Sequence, residues 1–402
     1  MTDAILVLNA GSSSIKFALY PATGSGPPLI SGKIEGIGRA PDFCAHDAQG
    51  HDIAEDGLQE IEASAAHGEL TVGLLDWVRH HHDGIDLVAA GHRVVHGGRL
   101  FAGPVMVNMQ VLSELEELVP LAPLHQPHNL AAIRAISSWD PELPQVACFD
   151  TSFHRCQPRV AQLFGLPRQL SDEGIIKYGF HGLSYEYIAS VLPDHIDRRA
   201  DGRVIVAHLG NGASMCAMSR RQSIATSMGF TALHGLMMGR RCGTLDAGVV
   251  LYLIQQKGMS APDVEHLLYH ESGLLGVSGI SNDMHTLENS TNPHAREAID
   301  LYCYRAAGEL AKLITALGGL DTVVFTAGIG ENSSAVRKNI CDRLNWLGVE
   351  LNEIANAKNA TSISAAGSGI DVLVIPTNEE AVIARSVRAL IGVADDQQSA
   401  AQ

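Results

Sequence analysis

The sequence of 402 residues contains no apolar run of the roughly 18 to 20 residues that a membrane-spanning helix needs. Its first ten residues, MTDAILVLNA, have no basic stretch before the apolar residues and no small-residue cleavage site. They therefore predict a first β-strand and not a secretory signal.

Basic residues are also scarce, because the sequence has 28 Lys and Arg against 44 Asp and Glu. This balance excludes a broad nucleic-acid surface, which needs clustered Lys and Arg, although a few arginines in a cleft would suffice for a local anion site.

Cysteine usage argues against two further classes of protein. The seven cysteines are odd in number and scattered, and none forms a CxxC pair. This pattern disfavours a disulfide framework and a zinc–thiolate site, so we expect reduced, mostly interior thiols and a cytoplasmic protein. The 19 histidines include no HExxH motif, so a metallohydrolase is the least favoured of the candidate functions. With 46% hydrophobic and 18% charged residues, the chain is expected to fold around large cores, in two or three domains.

Strand-like apolar runs alternate with helical patterns along the whole chain, which predicts an α/β fold. Predicted strands cover Ile5–Leu8, Ile15–Tyr20, Leu87–Ala90, Thr322–Thr326 and Val372–Ile375. Predicted helices cover Val111–Val119, a segment from Asn292-Pro293 to Gly318-Gly319, a segment from Ser333 to Gly348, and Glu379–Ile391.

One internal repeat indicates two related halves. The segments ILVLNAGSSSIKFALY (5–20) and VIVAHLGNGASMCAMS (204–219) each read as a strand, an Asn/Gly/Ser loop and a second strand. Two halves facing one another would explain this repeat, and chance similarity of two hairpins is the alternative. No Ser/Pro-rich linker marks the boundary, which we place near residue 150.

Three glycine loops carry groups that can cradle a phosphate. The first is Asn9–Ser14 with Lys16 close behind, the second is 208–212, and the third, 328–333, follows a strand and precedes a helix. Glycine lets backbone N–H groups approach phosphate oxygens. Each loop alone could be an ordinary turn, and none is a Walker A loop. Together they favour a nucleotide.

Charged and imidazole groups stand out in glycine-rich surroundings. Arg93 lies in HRVVHGG, and Arg241 lies in MMGRRCG, where a guanidinium could bind carboxylate or phosphate or form a structural ion pair.

Asp150 follows an apolar segment, a common place for a magnesium or substrate contact, although it could also cap a turn. His181 could be structural or functional, and Glu379 could bind metal or cap the last helix. His92 and His96 are not predicted to form a metal pair, and His80–His82 are predicted to be a solvated helix end.

Eight segments occur in an order that is specific to one family: NAGSSSIK, GHRVVHGG, FDTSFH, YGFHG, HLGNGAS, GVSGISND, TAGIGENS and PTNEE. The chain closely resembles the acetate kinase family, acid kinases of the actin-like superfamily. The resemblance spans nearly the whole chain. It implies an α/β fold of two actin-like (ribonuclease H-like) domains, each with a mixed sheet flanked by helices, and an active site in the interdomain cleft. The implied domains are 1–152, joined by the C-terminal helix 380–392, and 153–379.

The resemblance also assigns roles to individual residues. Asn9 and Glu379 match metal-placing residues, Lys16 a phosphate contact, and Arg93 the residue that binds the carboxylate. Asp150 matches the catalytic aspartate, and His181 and Arg241 match transition-state stabilisers. Segments that match nucleotide contacts comprise His208, Leu209, Gly210, Asn211 and Gly212, then Asp283, Met284 and His285, then Gly328, Ile329, Gly330, Glu331 and Asn332. The pocket for the alkyl group is implied to contain Val95, Leu124, Phe180 and Ala232.

This sequence departs from the family pattern around that pocket. Ala232 replaces the usual proline and His234 the usual glutamate, while Arg240, Thr244 and Ala247 replace threonine, aspartate and proline. The smaller side chain at 232 would widen the alkyl pocket unless the backbone shifts to close it. His285 replaces an arginine that usually contacts the nucleotide.

The implied reaction is ATP + acetate ⇌ ADP + acetyl phosphate, with magnesium or manganese, in a homodimer without nucleic-acid or membrane partners. A carboxylate is already ionised at pH 7, so no general base is required, and Asp150 would orient magnesium or its waters; proton transfer is the alternative. A propionate kinase of the same family is the near alternative. A nucleotide-switched actin-like binding protein is the alternative from another class, but it would not need Arg93, Arg241 and His181 around a second small anion.

Overall fold

The computed structural model describes residues 2–11, 13–24, 26–54, 58, 65–81 and 84–393. Ser12 of the first glycine loop, His82 and the tail after Val393 lie outside the described residues. The chain divides into two compact units, one formed by the residues up to Ser152 together with those from Asn378 onward, and the other by Phe153–Thr377. Within the described ranges, no helix has the length and apolar character needed to cross a membrane.

The strands are β1 (Thr2–Ala10), β2 (Ser14–Pro21), β3 (Ile30–Glu35), β4 (Asp42–Asp47), β5 (Ile85–Val94), β6 (Val105–Met106), β7 (Gln145–Phe149), β8 (Arg203–Leu209), β9 (Ala213–Ser219), β10 (Gln222–Thr226), β11 (Thr322–Thr326) and β12 (Asp371–Val374).

The helices are α1 (His67–His81), α2 (Met109–Glu117), α3 (Gln126–Trp139), α4 (Arg159–Gln162), α5 (Arg168–Asp172), α6 (Gly182–Val191), α7 (Pro193–Ile196), α8 (Ala247–Gln255), α9 (Ala261–His270), α10 (Gly273–Ser278), α11 (Met284–Glu288), α12 (Pro293–Leu317), α13 (Ala327–Asn332), α14 (Ser334–Asp342), α15 (Glu353–Ala357) and α16 (Glu379–Ile391).

The first unit is built on a mixed sheet in the order β4-β3-β2-β1-β5-β7-β6. Strands β1 to β4 pair antiparallel, whereas β5 runs parallel to both β1 and β7. Helix α16 packs directly on β5, and a Cβ at Gly91 would lie 2.5 and 2.6 Å from the side chains of Ile383 and Val387. Only a glycine allows this close approach. The C-terminal helix is therefore part of the first unit.

The second unit repeats the plan of the first. Its sheet has the order β10-β9-β8-β11-β12, with β8, β9 and β10 antiparallel and β8, β11 and β12 parallel. This arrangement matches β3-β2-β1-β5-β7 of the first sheet strand for strand. The sequence repeat of residues 5–20 and 204–219 thus corresponds to two equivalent hairpins, β1-β2 and β8-β9. The predicted α/β architecture is confirmed.

Several predicted boundaries are correct because local signals define them. Asn292 caps α12 by accepting a hydrogen bond from the His294 N–H, and Gly318 ends it with a left-handed φ of 69°. Ser333 caps α14 in the same way through the Val336 N–H. That helix ends at Asp342, however, and not near Gly348, which instead follows a short 3-10 turn.

Two other sequence predictions are wrong. Strand β5 continues through Val94, so Arg93 lies within a strand and not after it. The segment 328–332 is part of helix α13 and not a loop. The Glu331 side chain explains the helix, because its Oε1 accepts a hydrogen bond of 2.7 Å from the Ala327 N–H in the first turn. This bond satisfies a backbone donor that a helix N-terminus otherwise leaves unpaired.

The seven cysteines are all free thiols. Four of them are buried, Cys44 and Cys242 are half-buried, and Cys156 is exposed. His92 and His96 make separate local contacts, since His92 Nε2 donates to Gln145 Oε1 at 2.8 Å and His96 Nδ1 accepts from the Gly98 N–H at 2.9 Å.

Candidate active site

In the first unit, polar side chains converge at one edge of the parallel strands. Asn9 lies near the carboxyl end of β1, Arg93 near that of β5, and Asp150 directly follows β7. These three strands are neighbours in the sheet, so their carboxyl ends meet at the same edge. Glu379, the first residue of α16, joins them. Four residues far apart in the sequence thus form one cluster.

Arg93 is the centre of this cluster. Its Nε donates to Asp150 Oδ1 at 2.9 Å and its Nη2 to Asp150 Oδ2 at 2.5 Å, which is a bidentate pair. Its Nη1 donates to Asn9 Oδ1 at 3.0 Å, and Glu379 Oε2 lies 3.7 Å from Nε. The side chains of Arg93 and Asp150 are 19% and 2% exposed. A partly buried guanidinium is thereby held in one orientation.

The cluster perturbs the acid–base behaviour of its members. Burial raises the pKa of Glu379 to about 7; the charge of Arg93 opposes this shift, and the charges of Asp150 and Glu380 add to it. Burial by itself would lower the pKa of Arg93, but the charges of Asp150 and Glu379 raise it above its ordinary value. Arg93 therefore stays charged, and the neutral form of Glu379 is favoured more than that of an exposed glutamate.

The donor atoms of the cluster suit a hard cation. Asn9, Asp150 and Glu379 offer amide and carboxylate oxygens, the ligand type that Mg²⁺ prefers. Within the described residues no group of three His, Cys, Asp or Glu side chains could hold a metal by itself. Magnesium commonly uses one or two protein carboxylates and completes its shell with phosphate and water. The residues present therefore fit magnesium.

The other candidates of the first unit lie around the cluster or on adjoining loops. Lys16 is exposed on β2 directly opposite Asn9, and its charge lowers the pKa of Glu379. Val95 follows β5 and is 6% exposed, and its N–H donates to Asn129 Oδ1 at 3.0 Å. Leu124 is half-buried in the turn before α3.

In the second unit, His181 precedes α6 as its N-cap residue with a left-handed φ of 58°. Its ring stacks on His208, with centroids 4.2 Å apart and planes 18° apart. Its Nδ1 lies 2.8 Å from Ser214 Oγ. The preceding Phe180 is 2% exposed, and its carbonyl accepts a hydrogen bond of 3.0 Å from His154 Nε2. The imidazole of His181 is therefore fixed by several contacts.

Arg241 lies next to the same imidazole. A Cβ at Gly212 would lie 3.4 Å from His181 Nε2 and 3.6 Å from Arg241 Nη2, so both groups face the second glycine loop. Arg241 Nη1 donates to the Ala232 carbonyl at 2.8 Å, which orients the guanidinium. A glycine at 212 keeps the space beside the two donors open for a ligand. Such paired donors can stabilise charge on a transferred phosphoryl group.

A separate cavity of about 350 Å³ in the second unit brings together residues of all three predicted nucleotide segments. Its lining comprises Gly210, Asn211, Asn282, Asp283, Met284, His285, Glu288, Gly328, Ile329, Asn332 and Ser333. Its volume lies within the usual range of small-molecule sites. Eight of these eleven residues are among the predicted nucleotide contacts, and the cavity therefore combines segments that are distant in sequence.

Some predicted nucleotide residues do not line this cavity. Leu209 is fully buried at the end of β8, and Glu331 Oε1 is bonded to the N–H groups of Ala327 and Thr377. Sequence reasoning in turn missed Glu288, whose carboxylate accepts a hydrogen bond of 2.5 Å from Ser333 Oγ. The cap position of Ser333 was evident from the sequence, but its partner 45 residues away was not.

Comparisons with known proteins identify the family. The family model of the acetokinase family matches residues 4–385. The chain belongs to the acetokinase family. It is 54% identical to the acetate kinase of Rhodopseudomonas palustris (strain ATCC BAA-98 / CGA009) over 393 residues, which cover 96% of this chain and 98% of the relative. It is 48% identical to the acetate kinase of Rhizobium meliloti, with 97% and 98% coverage.

Solved structures support the same assignment. The propionate kinase of Francisella tularensis matches with a TM-score of 0.88 at 36% identity, covering 96% of this chain and 98% of the other. The acetate kinase of Porphyromonas gingivalis matches with a TM-score of 0.86 at 32% identity, covering 97% and 100%. The predicted family, the fold class and a kinase function with a carboxylate acceptor are confirmed.

Proposed function

We propose that this protein catalyses reversible, magnesium-dependent transfer of the γ-phosphoryl group of ATP to acetate, giving ADP and acetyl phosphate. The observation that carries the proposal is the cluster of Arg93, Asp150, Asn9 and Glu379 in a chain of the acetokinase family. The cluster offers a fixed guanidinium for a small carboxylate and oxygen ligands for a cation. Phosphoryl transfer to a carboxylate needs both the positioned acid and the bound cation.

The acid substrate would bind to Arg93. Asp150 and Asn9 occupy donors on Nε, Nη2 and Nη1, so the guanidinium is oriented before the substrate arrives. The two Nη groups carry further N–H donors, which could bind a carboxylate. A carboxylate is ionised at pH 7, so its oxygen can attack phosphorus without a general base. Asp150, bound in its ion pair, would keep Arg93 in place and help to hold the metal.

The nucleotide would occupy the cavity of the second unit. Asn211, Gly328 and Ile329 can offer backbone N–H groups to phosphate oxygens, and Lys16 would add an ammonium. Arg241 and His181 would donate hydrogen bonds to the group in transfer. When bound by Asn9 and Glu379, magnesium would supply positive charge that neutralises the phosphate oxygens.

We also propose that the enzyme is a homodimer that uses α8 in its interface. This helix, AGVVLYLIQ, has no buried residue, and Leu251 and Tyr252 are 54% and 53% exposed. A patch of exposed apolar side chains of this kind marks an interaction surface. A second copy of the chain, related to the first by a twofold axis, would cover this patch. Light scattering should give a dimer for the wild type and a monomer for Leu251→Glu/Tyr252→Glu; a monomeric wild type would refute this proposal.

A cytoplasmic location follows from the same proposal. The seven free thiols suit a reducing compartment, which also supplies ATP. Alkylation in unlysed cells and in lysates under native conditions would test the redox state of the exposed Cys156.

The decisive experiment measures acid-dependent formation of ADP. Acetate, propionate and butyrate are compared at equal concentrations, each with magnesium, with manganese and with EDTA. We expect acetate-dependent turnover that requires a divalent cation, with hydroxamate-reactive acetyl phosphate as the product. ADP formation without any acid dependence would contradict the proposal and would favour a nucleotide-dependent binding protein.

A further inference from the structure

The imidazole of His181 is held by a strand pair whose register fixes the geometry. His208 on β8 and Ser214 on β9 are directly opposite one another, so their side chains lie on the same face of the sheet. The His181 ring stacks on His208, and its Nδ1 lies 2.8 Å from Ser214 Oγ. The stacking contact therefore fixes the plane of the ring, and the contact at Nδ1 fixes the rotation of the ring within that plane.

A third group extends this contact into a hydrogen-bond relay. Tyr185 follows His181 by one helical turn in α6, and its hydroxyl lies 2.5 Å from Ser214 Oγ. Ser214 and Tyr185 are both 0% exposed, so they have no access to bulk water. Ser214 Oγ thus bridges a phenol and an imidazole in the interior of the second unit. A serine hydroxyl has a single proton, so it can donate to only one of these two neighbours.

The acidities of the groups decide the direction of the relay. A phenol, with a pKa near 10, donates a proton more strongly and accepts one more weakly than an aliphatic hydroxyl. Tyr185 therefore donates to Ser214, and Ser214 donates to Nδ1 of His181, in a chain whose bonds strengthen one another. This direction places the ring hydrogen of His181 on Nε2.

We propose that Tyr185 and Ser214 are positioning residues that fix His181 in the Nε2–H tautomer, so that it acts as a neutral hydrogen-bond donor. Nε2 is the atom that faces the second glycine loop beside Arg241, since a Cβ at Gly212 would lie 3.4 Å from it. The kinetic consequence rests on the proposed function, because the acceptor would then be an oxygen of the transferred phosphoryl group. The tautomer itself does not depend on that function.

The charges around the ring also favour the neutral form. His208, Arg241, Ser214 and Tyr185 are among the groups that face His181 in the second unit. A second proton on His181 would create a cation beside the guanidinium of Arg241, and like charges disfavour one another. His208 takes part in a similar relay, because Thr377 donates to Ser184 and Ser184 Oγ lies 2.8 Å from His208 Nδ1. Two stacked, neutral imidazoles avoid the repulsion that two imidazolium ions would suffer.

The tautomer can be observed directly by nitrogen NMR of the full-length protein labelled with ¹⁵N-histidine. Signals that disappear in His181→Ala identify the ring. In the wild type at about pH 7.5, we expect Nδ1 to have the shift of an unprotonated ring nitrogen and Nε2 that of a protonated one. In Ser214→Ala, which removes the donor with little change in volume, we expect a mixture of tautomers. A protonated Nδ1 in the wild type would overturn the proposal whether or not the enzyme uses acetate.

Kinetics provide an independent test of the positioning role. Tyr185→Phe and Ser214→Ala should each lower kcat by about threefold to tenfold, the equivalent of one neutral hydrogen bond, with KM for ATP and acetate nearly unchanged. The same changes made in the His181→Ala background should lower kcat by less than about twofold, because the group through which they act is absent.

A buried tyrosine outside the relay serves as the control. Tyr302 is 1% exposed in α12, and its hydroxyl has no hydrogen-bond partner among the described residues. Tyr302→Phe should leave both kcat and the His181 tautomer unchanged. An equal loss of kcat for Tyr185→Phe in the wild-type and His181→Ala backgrounds would show that Tyr185 only supports the fold, and would refute the inference.

Discussion

Arg93 binds Asp150 through two parallel hydrogen bonds, from Nε at 2.9 Å and from Nη2 at 2.5 Å. The pair is bidentate and almost entirely screened from solvent on the Asp150 side, where only 2% of the side chain is exposed. The ion pair therefore has two consequences that can be separated. It orients the guanidinium for a substrate, and it neutralises a carboxylate that would otherwise be buried alone.

The first prediction concerns Arg93. Arg93→Ala should lower kcat/KM for acetate by on the order of 100-fold or more, because a substrate and transition-state contact is lost. It should also lower the free energy of unfolding by about 3–5 kcal/mol, because Asp150 is left as an unpaired buried charge. Urea unfolding and initial rates measure the two effects. Arg159→Ala, at an exposed ion pair with Asp172, is the control and should change neither quantity appreciably. Near-normal turnover in folded Arg93→Ala would contradict the assignment.

The second prediction concerns Arg241. Arg241→Ala should lower kcat by on the order of 100-fold, because it removes a donor to the transferred phosphoryl group. The adjacent Arg240 is exposed and provides a matched control. Arg240→Ala should retain wild-type kcat, measured by coupled ADP release. Equal losses in the two variants would point to a role of the whole 239–243 segment and not to a specific role of Arg241.

A third prediction distinguishes the two roles considered for Asp150. If Asp150 holds Arg93 and the metal, Asp150→Asn should be poorly active at every pH, because the amide cannot replace the charge. Its magnesium requirement should rise as well, which a titration of rate against metal concentration measures. If instead extra metal has no effect and a basic limb of the wild-type pH profile disappears, Asp150 transfers a proton.

The fourth prediction is a pH dependence of stability that arises from His92. Burial lowers the pKa of His92 to about 4, from 6.5. Between these two pH values the unfolded chain binds a proton that the folded protein does not, so stability falls as the pH drops from about 6.5 towards 4. His92→Gln keeps a donor near Gln145 but cannot titrate. The slope of the unfolding free energy against pH should decrease by up to about 1.4 kcal/mol per pH unit.

The exposed His46 is the control for this effect. His46→Gln should leave the slope of unfolding free energy against pH unchanged, because this imidazole is exposed to solvent in the folded protein. Urea unfolding at several pH values between about 4.5 and 7.5 provides the slopes. If His92→Gln and the wild type had the same slope, the buried imidazole would not be the source of the dependence.

The last prediction concerns acid specificity. Ala232 stands where the family usually has proline, and its carbonyl accepts a hydrogen bond from Arg241 Nη1. Ala232→Pro retains this carbonyl. The variant should therefore change the contact of residue 232 with the alkyl group of the acid more than it changes the orientation of Arg241. One methylene in an accommodating pocket contributes about 1–3 kcal/mol, so we expect kcat/KM for propionate within about tenfold of that for acetate. Ala232→Pro should shift the ratio towards acetate. A preference for acetate of about 100-fold or more in both proteins would show that the substitution is neutral.

Much of this protein follows from local patterns in the sequence. Alternating strand and helix signals predicted the α/β class, and the repeat of residues 5–20 at 204–219 corresponds to two equivalent hairpins in two sheets of the same strand order. Asn292, Ser333 and Gly318 defined helix ends because caps depend on neighbouring residues and backbone φ. The order of eight motifs was sufficient to indicate the family. These signals need no knowledge of distant contacts.

The tertiary structure alone decided how the functional groups are paired. Arg93 and Asp150 are 57 positions apart, and their bidentate contact exists because β5 and β7 are parallel neighbours. The relay from Tyr185 through Ser214 to His181 depends on the register of β8 and β9 and on one turn of α6. The helix that replaced the predicted third glycine loop depends on the side chain of Glu331. A sequence pattern specifies which residues can make such contacts, but strand pairing and packing over long separations determine which of them meet.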